Sequence, residues 1–139
     1  MTAQTLCPAP LPSSLAQDTA TVVAMIEERA KQGGRSVFAI AGPPASGKST
    51  LAEAVVAALN HGQATEKAAL LPMDGFHLDN RLLAPKGLLP RKGAPETFDA
   101  QGFCVALREI AAGERDIYHP TFDRTLDLAI ANSGLIKGE

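Results

Sequence analysis

The chain has 139 residues, of which 45% are hydrophobic and 20% are charged, a balance typical of a globular domain with its own core. Its formal net charge of −2 argues against nucleic acid or an anionic membrane as a partner, because either would select a basic surface. The two cysteines are far apart, which indicates neither a disulfide framework nor a zinc site, and no apolar run approaches a membrane span, so we expect a cytoplasmic protein.

The N-terminal half predicts a flexible arm followed by alternating helices and strands. Residues 1–13 carry three prolines and predict an extended arm, whereas residues 14–139 predict one domain that opens with an amphipathic helix ending at Gly33 and Gly34. The short apolar runs at 36–41 and 68–73 predict two buried strands. The alanine- and leucine-rich stretch at 50–60 between them predicts a helix.

The C-terminal half is less regular. Residues 78–83 predict a helical turn, and the proline- and glycine-rich stretch at 84–99 predicts a long loop. A helix is expected at 101–112, with Asp99 as its N-cap and Cys104 as a small core residue. Residues 116–118 predict a third strand, and the weakly alternating tail at 125–139 predicts no element. The order of elements indicates an α/β fold with a parallel sheet flanked by helices.

The most specific motif in the chain is a phosphate-binding loop. Residues 42–49 match G-x-x-x-x-G-K-[ST] at every fixed position, between a predicted strand and a predicted helix. In this pattern Lys48 reaches the β- and γ-phosphates of a nucleotide, the Ser49 hydroxyl ligates Mg²⁺, and the helix dipole attracts the anion. A chance glycine-rich loop is the alternative, which the flanking elements disfavour. The residues expected to contact the nucleotide are Gly42, Pro43, Pro44, Ala45, Ser46, Gly47, Lys48, Ser49 and Thr50.

Asp74 follows the second predicted strand. Ligands of open α/β sheets bind at the carboxyl ends of the strands, so chain order places Asp74 on the same edge as the phosphate-binding loop. A carboxylate there can deprotonate an alcohol and help to hold Mg²⁺. Asp followed by Gly is also a common turn sequence, and the spacing alone does not decide between a catalytic Asp74 and a turn-forming Asp74.

Three further polar positions have two interpretations each. His77 either hydrogen-bonds a substrate hydroxyl or caps a surface turn. Arg91, in the long loop, either binds a polar group or is simply solvated. Arg124 either forms a local ion pair with Asp123 or faces the anionic site.

The order of these motifs resembles that of a group of P-loop kinases. AGPPASGKST resembles their phosphate loop, MDGFHL at 73–78 their strand-end Asp motif, KGAPETFD at 92–99 their acceptor loop, and YHPTFDR at 118–124 their Pro-x-Tyr-Asp segment. The group comprises uridine kinases, phosphoribulokinases and bacterial pantothenate kinases. The combination is most similar to a bacterial branch labelled fructose-transport-system kinase or nucleoside/nucleotide kinase-like.

The resemblance implies an ATP- and Mg²⁺-dependent kinase that phosphorylates a hydroxyl of a sugar, nucleoside or pantothenate-like acceptor. It implies that Asp74 is the catalytic carboxylate, with Lys48 stabilising the transferred group. It also implies acceptor-side roles for His77, Arg91, Phe98 and Arg124. A nucleotide-binding regulatory protein without turnover and a P-loop NTPase that transfers phosphate to water are the alternative functions.

The resemblance runs from about residue 37 to residue 127. Members of the group continue with an acidic strand and an arginine-bearing lid, which have no counterpart before residue 139. We therefore interpret 14–139 as the N-terminal portion of a kinase domain or as a shortened relative. Half of such a sheet exposes apolar faces, and a homodimer is one arrangement that would cover them.

Overall fold

The computed structural model describes residues 14–138, so the predicted arm at 1–13 lies outside the described residues. None of the helices within 14–138 is long and apolar enough to cross a membrane. In chain order, the helices and strands of this part are α1 (Leu15–Ala30), α2 (Lys48–Asn60), α3 (Asn80–Leu83), α4 (Ala100–Ala112), β1 (Ile117–Asp123) and β2 (Leu128–Ile136).

The longer helices begin and end at local sequence signals. Ser14 caps α1 through a capping box in which its hydroxyl accepts the Gln17 amide and the Gln17 side chain accepts the Ser14 amide. Asp99 caps α4, and its Oδ1 accepts the amide of Gly102 at 2.9 Å. These helix predictions are confirmed, although α2 begins at Lys48, two residues before the predicted start.

The prediction of two parallel strands, at 36–41 and 68–73, is wrong. Within residues 14–138 the sheet consists of β1 and β2, which pair antiparallel, and the runs at 36–41 and 68–73 belong to neither strand nor sheet. An apolar run becomes a strand only when a neighbouring strand accepts its backbone hydrogen bonds, and neither run has such a neighbour in the described part. Val37 and Phe38 are consequently 49% and 44% exposed. The mixed helix and strand content still fits an α/β fold.

The hairpin lies in a part of the chain where the sequence predicted only residues 116–118 as strand. Ile117 pairs with Ile136 and Asp123 with Leu128, and the register shifts between His119 and Thr121. The connecting turn is held by Asp123, whose Oδ1 accepts the amides of Thr125 and Leu126 at 2.8 and 2.9 Å. The weak alternation of the tail therefore corresponds to a real strand, β2.

One cluster of buried residues lies where α4 packs against the hairpin. Ile110, Ile117 and Ile136 form it, and Leu71 packs against them. Val55, Phe76 and Leu83 are buried outside this cluster. Cys104 is exposed, so its predicted place in the core is wrong. Because consecutive helical residues are rotated by about 100°, Cys104 lies off the face that carries Phe103 and Ile110.

Candidate functional site

The glycine loop ends in a helix whose first turn is open to an anion. Gly47 is the N-cap of α2 with φ +83°, and Ala45 also lies in the left-handed region with φ +58°. Among the described residues no side chain caps this helix, so its first amide hydrogens are available to a ligand. Uncapped amides at the positive end of a helix dipole fit a phosphate group.

Lys48 folds back over its own loop. Its Nζ donates a hydrogen bond to the Pro43 carbonyl at 2.8 Å. A Cβ at Gly42 would lie 3.0 Å from Ser46 Oγ and 3.6 Å from the Lys48 stem, which explains a glycine at that position. Within residues 14–138, the Lys48 ammonium is therefore paired with a carbonyl oxygen of its own loop, and no ion pair with a carboxylate is present.

The loop borders a cleft of about 400 Å³. Ser46, Gly47 and Lys48 line one part of it, and Leu15 and Asp18 from the first turns of α1 line another. The sequence did not predict that α1 lies beside the phosphate-binding loop, because no local pattern reports which helices pack together.

Asp74 lies in a 3₁₀ turn, Met73–Phe76, that touches the hairpin. Its Oδ2 accepts a hydrogen bond from Arg124 Nη2 at 3.2 Å, and its side chain is 47% exposed. A Cβ at Gly75 would lie 2.2 Å from the Pro120 carbonyl oxygen, so the turn and β1 are in direct backbone contact. Arg124 thus pairs with Asp74 rather than with its neighbour Asp123.

His77 is stacked among aromatic rings beside Asp74. Its ring centroid lies 4.1 Å from that of Phe98 and 5.0 Å from that of Phe122. His77 and Phe98 also form a single antiparallel bridge, which fixes the long loop against the Asp74 turn. We call His77, Phe98 and Phe122 the aromatic cluster. It forms a wall that suits the apolar part of a small molecule, with polar groups at its edge.

The imidazole of His77 has a defined hydrogen-bonding role. Its Nδ1 lies 2.8 Å from the backbone carbonyl oxygen of Asp74. Because a carbonyl can only accept, Nδ1 carries a proton, and in the neutral form of the ring this leaves the lone pair on Nε2. His77 can therefore accept a hydrogen bond from a hydroxyl group without competing for the Asp74 carboxylate.

The structure brings most of the predicted acceptor-side residues together. Asp74, His77, Phe98 and Arg124 are joined by the contacts above, whereas Arg91 forms an exposed ion pair with Glu96 at 2.8 Å. The sequence analysis missed Phe122, although its position in the 118–124 segment was a usable signal. The roles predicted for all of these residues remain predictions.

His119 has a different set of contacts. It is only 4% exposed, its Nδ1 donates to the Pro120 carbonyl at 3.0 Å, and its ring packs on Gly134. It is therefore a packing residue of the hairpin in this structure.

The known proteins to which this chain is similar are named as kinases. A pantothenate kinase of Streptomyces coelicolor is 32% identical over 100 residues, which are 72% of this chain and 30% of the relative. A pantothenate kinase of Shewanella pealeana is 38% identical over 96 residues, or 66% of this chain and 30% of that protein. No family model matches the chain. The chain thus spans less than a third of the length of these curated relatives.

A solved structure matches over more of the chain. It is that of a protein from Silicibacter sp. TM1040 provisionally named a fructose transport system kinase. It is 45% identical with a TM-score of 0.75, and the match covers 91% of this chain and 59% of that one.

The chain therefore belongs to the P-loop kinases of the pantothenate kinase group, as the order of its motifs predicted. Within that group, the solved relative carries the fructose-transport name of the branch that the motif order most resembles.

Proposed function

We propose that this chain is part of an ATP-dependent small-molecule kinase with a P-loop NTPase fold, which transfers the γ-phosphoryl group to a hydroxyl of a small polar acceptor. The observation that carries the proposal is the Asp74 turn. There the Asp74 carboxylate and the Arg124 guanidinium lie next to the aromatic cluster, which contributes the His77 imidazole. An NTPase that uses water as its acceptor has no need of such a wall.

The phosphate-binding loop would hold the nucleotide. ATP supplies the phosphoryl group, and the open amides of α2 together with the Lys48 ammonium would bind its phosphates. Lys48 is free to exchange its carbonyl partner for phosphate oxygens, because no acid competes for it in the described structure. Ser49 and Asp74 are the proposed protein ligands of Mg²⁺, an ion that commonly keeps several waters.

The acceptor would lie against the aromatic cluster. Asp74 would accept the proton of the reacting hydroxyl, and His77 Nε2 would accept a hydrogen bond from a second hydroxyl. Arg124, with a side chain 81% exposed, would bind a polar group of the acceptor. Arg91 is a further proposed contact, which would first have to leave Glu96. The names of the relatives support pantothenate and fructose as the first acceptors to test.

The test is ADP release from Mg²⁺-ATP with pantothenate, fructose and uridine added in turn. Stimulation by one acceptor supports a kinase and names its substrate class. ADP release that is indifferent to every acceptor would replace the proposal with an NTPase. Nucleotide binding without ADP release would replace it with a regulatory protein.

Lys48→Ala and Lys31→Ala form the matched pair for this assay. Lys48→Ala removes a charge that stabilises the transferred group and should lower turnover about 10²- to 10³-fold or more. Lys31 lies at the exposed end of α1, so Lys31→Ala should leave turnover unchanged. An equal loss in both variants would point to damage unrelated to the phosphate-binding loop.

A further inference from the structure

A closed set of polar contacts lies next to the aromatic cluster. The Lys92 ammonium donates to Asn80 Oδ1 at 2.8 Å, to Asp127 Oδ1 at 2.8 Å and to the Asp127 carbonyl at 3.1 Å. The Asn80 amide in turn donates to Asp127 Oδ2 at 2.9 Å. We call Asn80, Lys92 and Asp127 the Asp127 clamp. All three ammonium hydrogens and both carboxylate oxygens have partners within it.

The clamp joins three segments, and each of them carries one ring of the aromatic cluster. Asn80 lies three residues after His77, Lys92 lies six residues before Phe98, and Asp127 lies five residues after Phe122. Lys92 Nζ also lies 5.0 Å from the centroid of the Phe122 ring, and its side chain is only 16% exposed. One carboxylate is thus hydrogen-bonded to Lys92 and to Asn80, which lie on the two other segments that carry the rings.

The backbone conformation at Asp127 allows the carboxylate to be removed without new backbone strain. Its φ is +53°, in the left-handed region that glycine adopts most readily. Aspartate tolerates this conformation better than most residues but gains nothing from it as a turn residue compared with glycine. The turn that Asp127 closes also carries Arg124, which binds Asp74.

We propose that Asp127 is a positioning residue, which acts through Lys92 and Asn80. It holds the three segments of the aromatic cluster at a fixed spacing, and this spacing sets the affinity for the phosphoryl acceptor. The inference rests on the proposed kinase function for its kinetic consequence. Its structural part, the coupling of the hairpin turn to the loop at 92–98, can be measured without any acceptor.

The decisive variant is Asp127→Gly, because glycine suits the backbone angle while removing the carboxylate. With the acceptor that the panel identifies, KM for the acceptor should rise about tenfold with kcat nearly unchanged, as expected for lost ground-state binding. The Kd for Mg²⁺-ATP, measured by titration calorimetry, should stay the same. Lys92→Met should reproduce the effect, and the double variant should be no worse than either single one.

Glu114→Gln is the control, since it removes a negative charge from an exposed position in the turn between α4 and β1. An acceptor KM in Asp127→Gly that equals that of Glu114→Gln would overturn the proposal. A parallel rise in the Kd for Mg²⁺-ATP would also overturn it, because a general loss of structure affects both ligands.

Amide hydrogen exchange separates this inference from the proposed function. In Asp127→Gly the amides of residues 92–98, which are chemically unchanged, should exchange faster than in the unmodified chain. If no acceptor stimulates ADP release, the kinase proposal fails, while faster exchange at 92–98 still supports the clamp. Unchanged exchange at 92–98 overturns the clamp whatever the acceptor kinetics show.

Discussion

At the scale of single residues, Asp74 is both the proposed catalytic base and the residue that contacts Arg124 and His77. Its carboxylate binds Arg124 and its backbone carbonyl binds His77, so one residue orients two others. The carboxylate is also half-exposed, which leaves one oxygen accessible to a ligand. Of the two interpretations that the sequence left open, the structure shows the turn residue, and the reacting group is the one that we propose.

Replacing Asp74 by asparagine should separate binding from turnover. Asp74→Asn keeps the size of the side chain but loses the basic oxygen, so we expect acceptor-dependent turnover to fall about 10²- to 10⁴-fold. Binding of Mg²⁺-ATP should persist, as measured by titration calorimetry. Asp79→Asn is the control, because Asp79 is an N-cap of α3 and asparagine caps equally well. A fully active Asp74→Asn variant would end the assignment of Asp74 as the base.

At the scale of elements, α4 depends on its cap. Asp99 accepts the Gly102 amide, and its own amide donates to the Phe76 carbonyl at 2.7 Å. Asp99→Ala should lower the free energy of unfolding by about 1 kcal/mol, whereas Asp99→Asn should lower it much less. Urea denaturation of both variants measures the difference. Equal midpoints for the two would show that the side-chain cap contributes nothing.

The hairpin turn should respond to acid through Asp127. Hydrogen bonds from Lys92 and then from Asn80 hold the pKa of Asp127 below its ordinary value. A carboxyl whose pKa is lowered by folding stabilises the structure above its unfolded pKa, and that stabilisation is lost as the pH falls through the folded value. The clamp should therefore be intact at neutral pH and open in acid.

An NMR titration of the Asp127 carboxyl carbon measures this directly. Its midpoint should lie below about 4, the ordinary value for aspartate, and should rise in Lys92→Met. Asp123, which binds backbone amides of the same turn, serves as an internal comparison in that variant. An Asp127 midpoint that does not move when Lys92 is replaced would show that the two side chains are not paired in solution.

At the scale of the whole molecule, the described part of the chain has a core cluster where α4 packs against the hairpin. Ile117 is 5% exposed within that core, whereas its neighbour Tyr118 is 63% exposed. Ile117→Ala should cost about 2–5 kcal/mol of unfolding free energy, because it leaves a cavity among packed side chains. Tyr118→Ala should cost far less. Urea denaturation tests both, and similar losses would mean that the core lies elsewhere.

The sequence correctly predicted the helices, whose ends are specified by local signals. It did not predict most of the strand residues, whose pairing depends on residues distant in the chain. The caps at Ser14 and Asp99 and the glycines after α1 specify helices within a few residues of chain. Strands depend on neighbours, so the apolar run at 36–41 was predicted as a strand while β2 went unassigned. In the candidate site, the motif order predicted roles for Asp74 and His77, which the structure shows in contact. The contact between Lys92 and Asp127 spans 35 positions and leaves no local pattern.

The close approach of Gly75 to the Pro120 carbonyl has a consequence for mutational scanning. Any side chain at Gly75 would meet the backbone of β1, so every substitution there should push the hairpin away from the turn. In a library selected for the proposed kinase activity, we expect Gly75 and Asp74 to appear equally intolerant, Gly75 because folding fails and Asp74 because the proposed base is lost. Counting folded protein for each variant alongside activity would distinguish the two neighbouring positions.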